Sequence, residues 1–431
     1  MAVLVFLSLF QTGRLWYFSH LPIPAPPAEY DLQVERSGVD LGELLQPLAI
    51  ILHQEGGKHL EFRPGQPGYS SLWQEGLALL PLQDGPLIPV AYAEVRQARQ
   101  EGVAVEYILP ARLTLDQYRQ AWGLERGKEE GPTIDRLLLR FTKTTGSYFL
   151  DNGQGEAYFS GKSLTVGDLS LHLPRGAGNP VTELPTVFRG ISLSEGLYVP
   201  LVSPVISGLA LAPTKVASEQ EARLFFVDPS LARKVEERDG AVFYTDGVGG
   251  LRIYPTGDLE YSLPQPDRPP VKSRAALQKV AAFLKAHGGI PEGSFVKEIR
   301  PNPSSQAMGE GRVEVSVVLL REGLPLLGGN FPLEFQLTEN GVSRFTRILR
   351  PISGPSPIKR TVVPVENLLS QVVKGEDEPR RQIPRLTNVY LAYYLPPLGV
   401  PASYLRPVWV LETPAGARYS FDAWTGTPVY P

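Results

Sequence analysis

The sequence predicts an α+β protein: an N-terminal membrane anchor helix followed by a multi-domain body of antiparallel sheets, each packed with helices. Three observations predict it. The longest apolar stretch lies at the start, in MAVLVFLSLFQTGRLWYF from Met1 to Phe18. After it, short apolar-rich runs bounded by glycine turns alternate with amphipathic stretches at helical spacing. Glycine and proline number 42 each in 431 residues, and proline at about twice its average usage favours turns and edge strands over long helices.

Met1–Phe18 is short for a span, which needs about 20 mostly apolar residues. Trp16 and Tyr17 suit the membrane interface, where amphipathic rings sit at headgroup level. No basic residue precedes the apolar run and no small-residue cleavage site follows it. Pro22, Pro24, Pro26 and Pro27 crowd that place, so an uncleaved anchor with a stiff spacer is expected. The missing basic residues lead to the expectation that the anchor is truncated at its start. In a helix, Ser8, Gln11, Thr12, Leu15 and Ser19 share one stripe, at steps of three and four. Polar side chains in hydrocarbon tend to face a protein neighbour. Ser8, Gln11, Thr12 and Leu15 are therefore the expected partner-binding residues.

The body divides into an N-terminal α+β domain over 21–200, a middle helix-plus-meander region over 201–270, and helix-on-sheet units over 271–356 and 357–431. In the first, Leu48–His53 and Leu60–Phe62 flank Glu55–Lys58 as a hairpin. Helices are expected from Ser70 to Leu80, Tyr92 to Glu101 and Thr114 to Trp122, the first and last capped by their hydroxyl residues. Strands follow at Val103–Leu109, Ile134–Phe141, Ser147–Leu150, Glu156–Phe159 and Ser163–Leu173. In the middle region, Asp228–Pro229 reads as an N-cap and first helical residue of a helix continuing through Ser230–Arg238. A meander of Ala241–Tyr244, Leu251–Tyr254 and Leu259–Tyr261 comes next.

The last two units repeat one plan, a capped helix followed by antiparallel strands. Ser273 opens a helix with Leu277, Val280, Ala281 and Leu284 on one face, ended by Gly288–Gly289. The strands Val313–Leu320, Gly329–Leu337 and Val342–Leu349 follow it. Val365–Val373 opens the second unit, with strands at Asn388–Leu395, Pro407–Thr413, Arg418–Asp422 and Pro428–Tyr430.

Chemistry is sparse. The 42 Lys+Arg against 45 Asp+Glu leave a net charge of −3, so no global basic field invites nucleic acid. Cysteine is absent, which removes disulfides, thiolate catalysis and sulfur-ligated zinc. Gly155–Ser163 resembles a phosphate loop, but its spacing is off by one and a strand follows where a helix must begin. His53, Glu55 and His59 flank one hairpin and offer metal-ligand chemistry, against which satisfied or surface histidines are favoured. No GxSxG elbow or HExxH pair occurs. The closing strands hold Tyr390, Tyr393, Tyr394, Tyr404, Trp409, Tyr419, Phe421, Trp424 and Tyr430. Core packing is favoured for them over a glycan or peptide platform. No catalytic residue, metal or cofactor is expected.

Four segments carry a resemblance. LVFLSLFQTGRLW resembles the transmembrane signature of the YycH family, membrane-anchored accessory regulators of the WalK (YycG) sensor kinase in Gram-positive bacteria. The likeness continues in Ile51–Gln74 and in Leu224–Pro264, the most specific stretch. Arg406–Tyr430 is similar to the closing strands of YycI proteins and PepSY-like modules. The resemblance implies a single-pass protein of the cell membrane with its body outside the cytoplasm. Its implied role is non-enzymatic regulation of a sensor histidine kinase through transmembrane helix association. The implied partners are that kinase, a YycI-like protein and the membrane. An extracytoplasmic binding module for a cell-wall glycan or peptide is the alternative.

Overall fold

The computed structural model describes residues 40–80, 86–124, 131–141, 145–152, 156–160, 164–165, 178–212, 218–226, 228, 232–264, 273–301, 312–348, 350–374 and 385–429. The expected anchor, with Ser8, Gln11, Thr12 and Leu15, lies outside these residues, as does the greater part of the expected strand Ser163–Leu173. Among the described residues no helix is long and apolar enough to cross a membrane. The body is α+β with mostly antiparallel sheets and few helices.

The first sheet has ten strands, all paired antiparallel. They are β1 (Ala49–Gln54), β2 (Lys58–Phe62), β3 (Leu87–Val90), β4 (Val103–Thr114), β5 (Thr133–Phe141), β6 (Thr145–Asp151), β7 (Ala157–Ser160), β8 (Leu164–Thr165) and β9 (Asn179–Glu183). The small hairpin of β10 (Val187–Phe188) and β11 (Ile191–Ser192) intervenes before the tenth, β12 (Tyr198–Pro200). The described helices of this part of the chain are α1 (Leu41–Leu44), α2 (Tyr69–Leu79), α3 (Tyr92–Gln100) and α4 (Leu115–Ala121).

Alternation along the strands sends successive side chains to opposite faces. One face carries Ile50, Leu52, Val105, Tyr107, Leu137 and Leu139, which pack on Leu72 and Trp73 of α2 and Tyr118 of α4. Gly76 is what allows α2 to lie so close. A Cβ there would stand 2.0 Å from the Tyr107 hydroxyl, which instead donates to the Leu72 carbonyl at 2.9 Å. The opposite face, under α3, carries Ala104, Leu138 and Phe149 against Val95 and Ala98, together with charged side chains. Thr114 caps α4 in a reciprocal box with Gln117, as its sequence foretells.

The second sheet follows β13 (Val205–Leu211) and α5 (Ser218–Ala222). It opens with β14 (Arg233–Glu236), β15 (Val242–Thr245), β16 (Gly250–Ile253) and β17 (Leu259–Ser262). Then come α6 (Ser273–Ala286), β18 (Ser294–Pro301), β19 (Val313–Arg321), β20 (Leu324–Gly328), β21 (Leu333–Thr338), β22 (Gly341–Arg347) and β23 (Ile352–Thr361). The chain closes with α7 (Val365–Lys374), β24 (Asn388–Leu395), β25 (Tyr404–Leu405), β26 (Pro407–Glu412), β27 (Arg418–Asp422) and β28 (Pro428–Val429). After α6 the pairing runs β18-β19-β21-β22, and after α7 it runs β24-β26-β27-β28. Each is a helix followed by an antiparallel meander. A parallel pairing of β20 with β24 merges them into one 13-stranded sheet, while β23, β13 and β25 form a separate three-stranded sheet. Leu277, Val280 and Leu284 of α6 are buried with Val315, Val317, Leu333 and Phe335. Val365, Leu368 and Leu369 of α7 are buried with Leu391, Trp409 and Leu411.

Three expectations need correction. The helix foreseen over Ser230–Arg238 is absent at its centre, where β14 pairs with β15 from Arg233↔Thr245 to Glu236↔Val242. The Asp239–Gly240 turn brings a strand partner within reach, and ladder bonds outweigh the local cap signal. The helix foreseen from Ser70 starts at Tyr69 after Gly68 and has no side-chain cap. Strands β3 and β23 contain proline and lie outside the strands that the sequence predicts. Both lie at sheet edges, where a missing N–H costs no ladder bond.

Candidate functional site

Beneath α3 the apolar interior gives way to a buried ionic network centred on Glu106, which is fully buried. Arg99 of α3 binds it with two nitrogens, Nε to Oε2 at 3.1 Å and Nη2 to Oε1 at 2.6 Å. Arg136 of β5 adds Nη1 to Oε1 at 3.4 Å and donates to the Gly196 carbonyl at 2.5 Å. His53 Nε2 lies 3.1 Å from Oε2, and His53 Nδ1 lies 2.9 Å from His59 Nδ1. Asp151 completes the network, 3.5 Å from Arg99 and bonded by the Tyr92 hydroxyl. Tyr198 covers the imidazoles, its ring 5.7 Å from His53 and 5.4 Å from His59.

Burial alone would raise the Glu106 carboxyl, but Arg99, the His53 hydrogen bond and Arg136 hold it well below the usual carboxylate range. His59 is pushed down to about 4, first by burial and then by His53. Gly196 closes the site from the β11–β12 loop with φ of 68°. A Cβ there would stand 2.4 Å from Arg136 Nη1, so only glycine lets the loop meet the guanidinium groups. Each oxygen of Glu106 already accepts from nitrogen donors. The network is thus a closed charge-balanced set, and it holds the β1–β2 hairpin, α3 and the β12 loop in register.

On this same face of the first sheet, a cavity of about 470 Å³ opens towards the second sheet. Arg136 and Tyr198 belong to both the network and the cavity wall. Apolar side chains from both sheets line it, among them Ile51, Ile108, Leu320, Leu327 and Phe331. Arg63 bridges the sheets near its rim, bonded to Glu61 and donating from Nη1 to the Gly323 carbonyl at 3.0 Å. On the far wall Glu412 accepts from the Tyr390 hydroxyl at 2.6 Å and Asn388 Nδ2 at 3.0 Å, with Lys297 Nζ at 3.4 Å. Burial would raise this carboxyl, yet Lys297, the two hydrogen bonds and Arg418 together hold it below its ordinary range.

His53 and His59 do face one another across the β1–β2 hairpin, but Glu55 is exposed and apart from them. Among the described residues no group of three or more His, Asp and Glu side chains is arranged to hold a metal. In the closing strands, Tyr393, Trp409 and Phe421 are buried, while Tyr404 and Tyr419 are exposed. Tyr430 and the four expected transmembrane residues lie outside the described residues. Sequence reasoning does not single out Arg99, Glu106, Arg136 or Asp151. A signal was present for Glu106 in VAVEYIL, where a lone charge interrupts an apolar strand, since such a charge is rarely buried unless paired.

No protein-family model matches the chain, and no curated protein matches it. Among solved structures, a protein from Eubacterium rectale of uncharacterized function gives a TM-score of 0.36 at 10% identity, covering 62% of this chain and 95% of its own. YycH from Bacillus subtilis gives a TM-score of 0.63 at 13% identity, and the match covers 91% of this chain and 98% of that one. The body described above therefore has a YycH-like fold.

Proposed function

We propose that this chain is a non-enzymatic regulator of a two-component sensor histidine kinase of the WalK/YycG kind. It is anchored in the cell membrane by one helix, with its body outside the cytoplasm, and acts beside a YycI-like protein. The observation that carries the reading is the nearly end-to-end likeness to the YycH fold, joined to the resemblance in the anchor and in Leu224–Pro264. The buried network supports a non-enzymatic role, because its charged groups are committed to one another. A fold alone does not specify chemistry, so the test must be functional.

Regulation runs through the anchor, whose stripe of Ser8, Gln11, Thr12 and Leu15 faces the partner helices. Each interhelical hydrogen bond in a membrane contributes about 0.6 to 2 kcal/mol, so the effect is cumulative. Replacing Ser8, Gln11 and Thr12 together with leucine should leave the full chain in the membrane but reduce its crosslinking to the kinase. Val5→Leu and Phe6→Leu should change little. Full crosslinking by the triple variant would move the association out of the bilayer, and failure of the wild-type chain to co-purify with any sensor kinase would end the regulatory reading.

A further inference from the structure

The cavity between the two sheets has the build of a ligand site. Its volume of about 470 Å³ falls in the range of roughly 300 to 1,000 Å³ typical of small-molecule pockets. Its wall is mixed, with apolar side chains from both sheets and charged ones.

Six cations line the wall, Arg63, Arg112, Arg136, Lys297, Arg300 and Arg418, against four carboxylates, Glu61, Asp135, Glu298 and Glu412. Two of these cations are also paired from behind the wall, Arg136 by Glu106 of the buried network and Arg300 by Glu314. Every one of the wall carboxylates is already held by a cation of the same wall: Glu61 by Arg63, Asp135 by Arg112, Glu298 by Arg300 and Glu412 by Lys297.

With Arg136 balanced by Glu106, Arg418 is the wall cation that makes no ion pair within 4 Å among the described residues, although its charge acts on Glu412. It stands directly across the β26–β27 ladder from Glu412, the partner a cross-strand arginine would ordinarily take. Tyr390, Asn388 and Lys297 occupy that carboxylate instead. Arg418 lies over the Phe331 ring at 4.1 Å, and its Nη1 is buried with no hydrogen-bond partner among the described residues. A guanidinium with uncommitted donors in a partly apolar wall is suited to a planar or tetrahedral oxyanion, which it can bind through parallel N–H bonds.

We propose that this cavity binds a small organic anion, a carboxylate or phosphate monoester carrying an apolar group, with Arg418 as its charge partner and Phe331 and Leu327 against its apolar part. The proposal stands apart from the kinase reading, since neither requires the other.

The test uses the full chain in phosphatidylcholine nanodiscs and isothermal titration calorimetry. The probes are phenyl phosphate, benzoate, inorganic phosphate and benzyltrimethylammonium. Saturable binding of phenyl phosphate or benzoate is expected, with benzyltrimethylammonium silent and inorganic phosphate weaker for lack of the apolar group. Arg418→Gln should weaken the anion about tenfold or more, the scale of one charge-assisted hydrogen bond. Leu327→Trp should block binding by filling the cavity, with circular dichroism confirming that both variants are folded. Competition by phosphatidylglycerol in the discs would identify the anion as a lipid headgroup, and lack of competition as a soluble molecule of the same chemistry. No saturable heat from the wild-type chain up to about 1 mM, equal binding of the cationic probe, or unchanged affinity in folded Arg418→Gln would overturn the proposal.

Discussion

Glu106→Gln isolates the charge at the centre of the buried network while leaving its shape. In the native protein Oε1 accepts from Arg99 Nη2 and Arg136 Nη1, and Oε2 accepts from Arg99 Nε and lies against His53 Nε2. Whichever oxygen becomes an amide nitrogen, its N–H groups meet an Arg99 nitrogen across 2.6 or 3.1 Å. A change of the His53 tautomer relieves one side and leaves the arginine contact unrelieved. Arg99 is only 1% exposed and Arg136 5%, so water cannot solvate the charges that Glu106 no longer balances. Removing one partner of a buried ion pair destabilises by about 3 to 5 kcal/mol, a large share of the roughly 5 to 15 kcal/mol that holds a folded protein together. Urea denaturation of the full chain, followed by tryptophan fluorescence, reads the difference as a lowered midpoint. A loss under about 1 kcal/mol with an unchanged slope would refute the network as a structural keystone, because exposed pairs contribute that little.

Two further outcomes follow from the same geometry. His59 has a folded value near 4 against an ordinary 6.5, so the unfolded chain takes up its proton first. Its contribution to stability is complete above about pH 6.5 and is lost as the pH falls towards 4. With its partial exposure allowed for, that loss is about 1 to 2 kcal/mol. Urea midpoints between those pH values should flatten in His59→Gln, and an unaltered slope there would contradict the assignment. Gly76→Ala places a Cβ against the Tyr107 hydroxyl and should destabilise by about 1 to 3 kcal/mol through overpacking. Gly76→Ala with Tyr107→Phe should recover part of that in the same assay, and an additive double variant would deny the contact.

The two meanders after α6 and α7 were legible from sequence because their signals are local. Capped amphipathic helices, alternating strands and tight turns each state their own geometry within a few residues. The burial of Leu277, Val280 and Leu284 followed from helical spacing alone. Local signals also misled, as at Arg233–Glu236, where a strand partner reached through the next turn overrode an N-cap. Which helix covers which face, the merging of the meanders through β20 and β24, and the site itself were decided only by tertiary structure. Glu106 meets His53 from 53 residues away and Arg136 from 30, and Glu412 takes its hydrogen bonds from Tyr390, Asn388 and Lys297 rather than from Arg418 across the ladder. The sequence by itself determined the α+β class, the helix faces and the want of any catalytic motif, since these depend on neighbours along the chain. The network and the cavity depend on neighbours in space, and a charge pays for its burial only when a partner from another strand arrives to balance it.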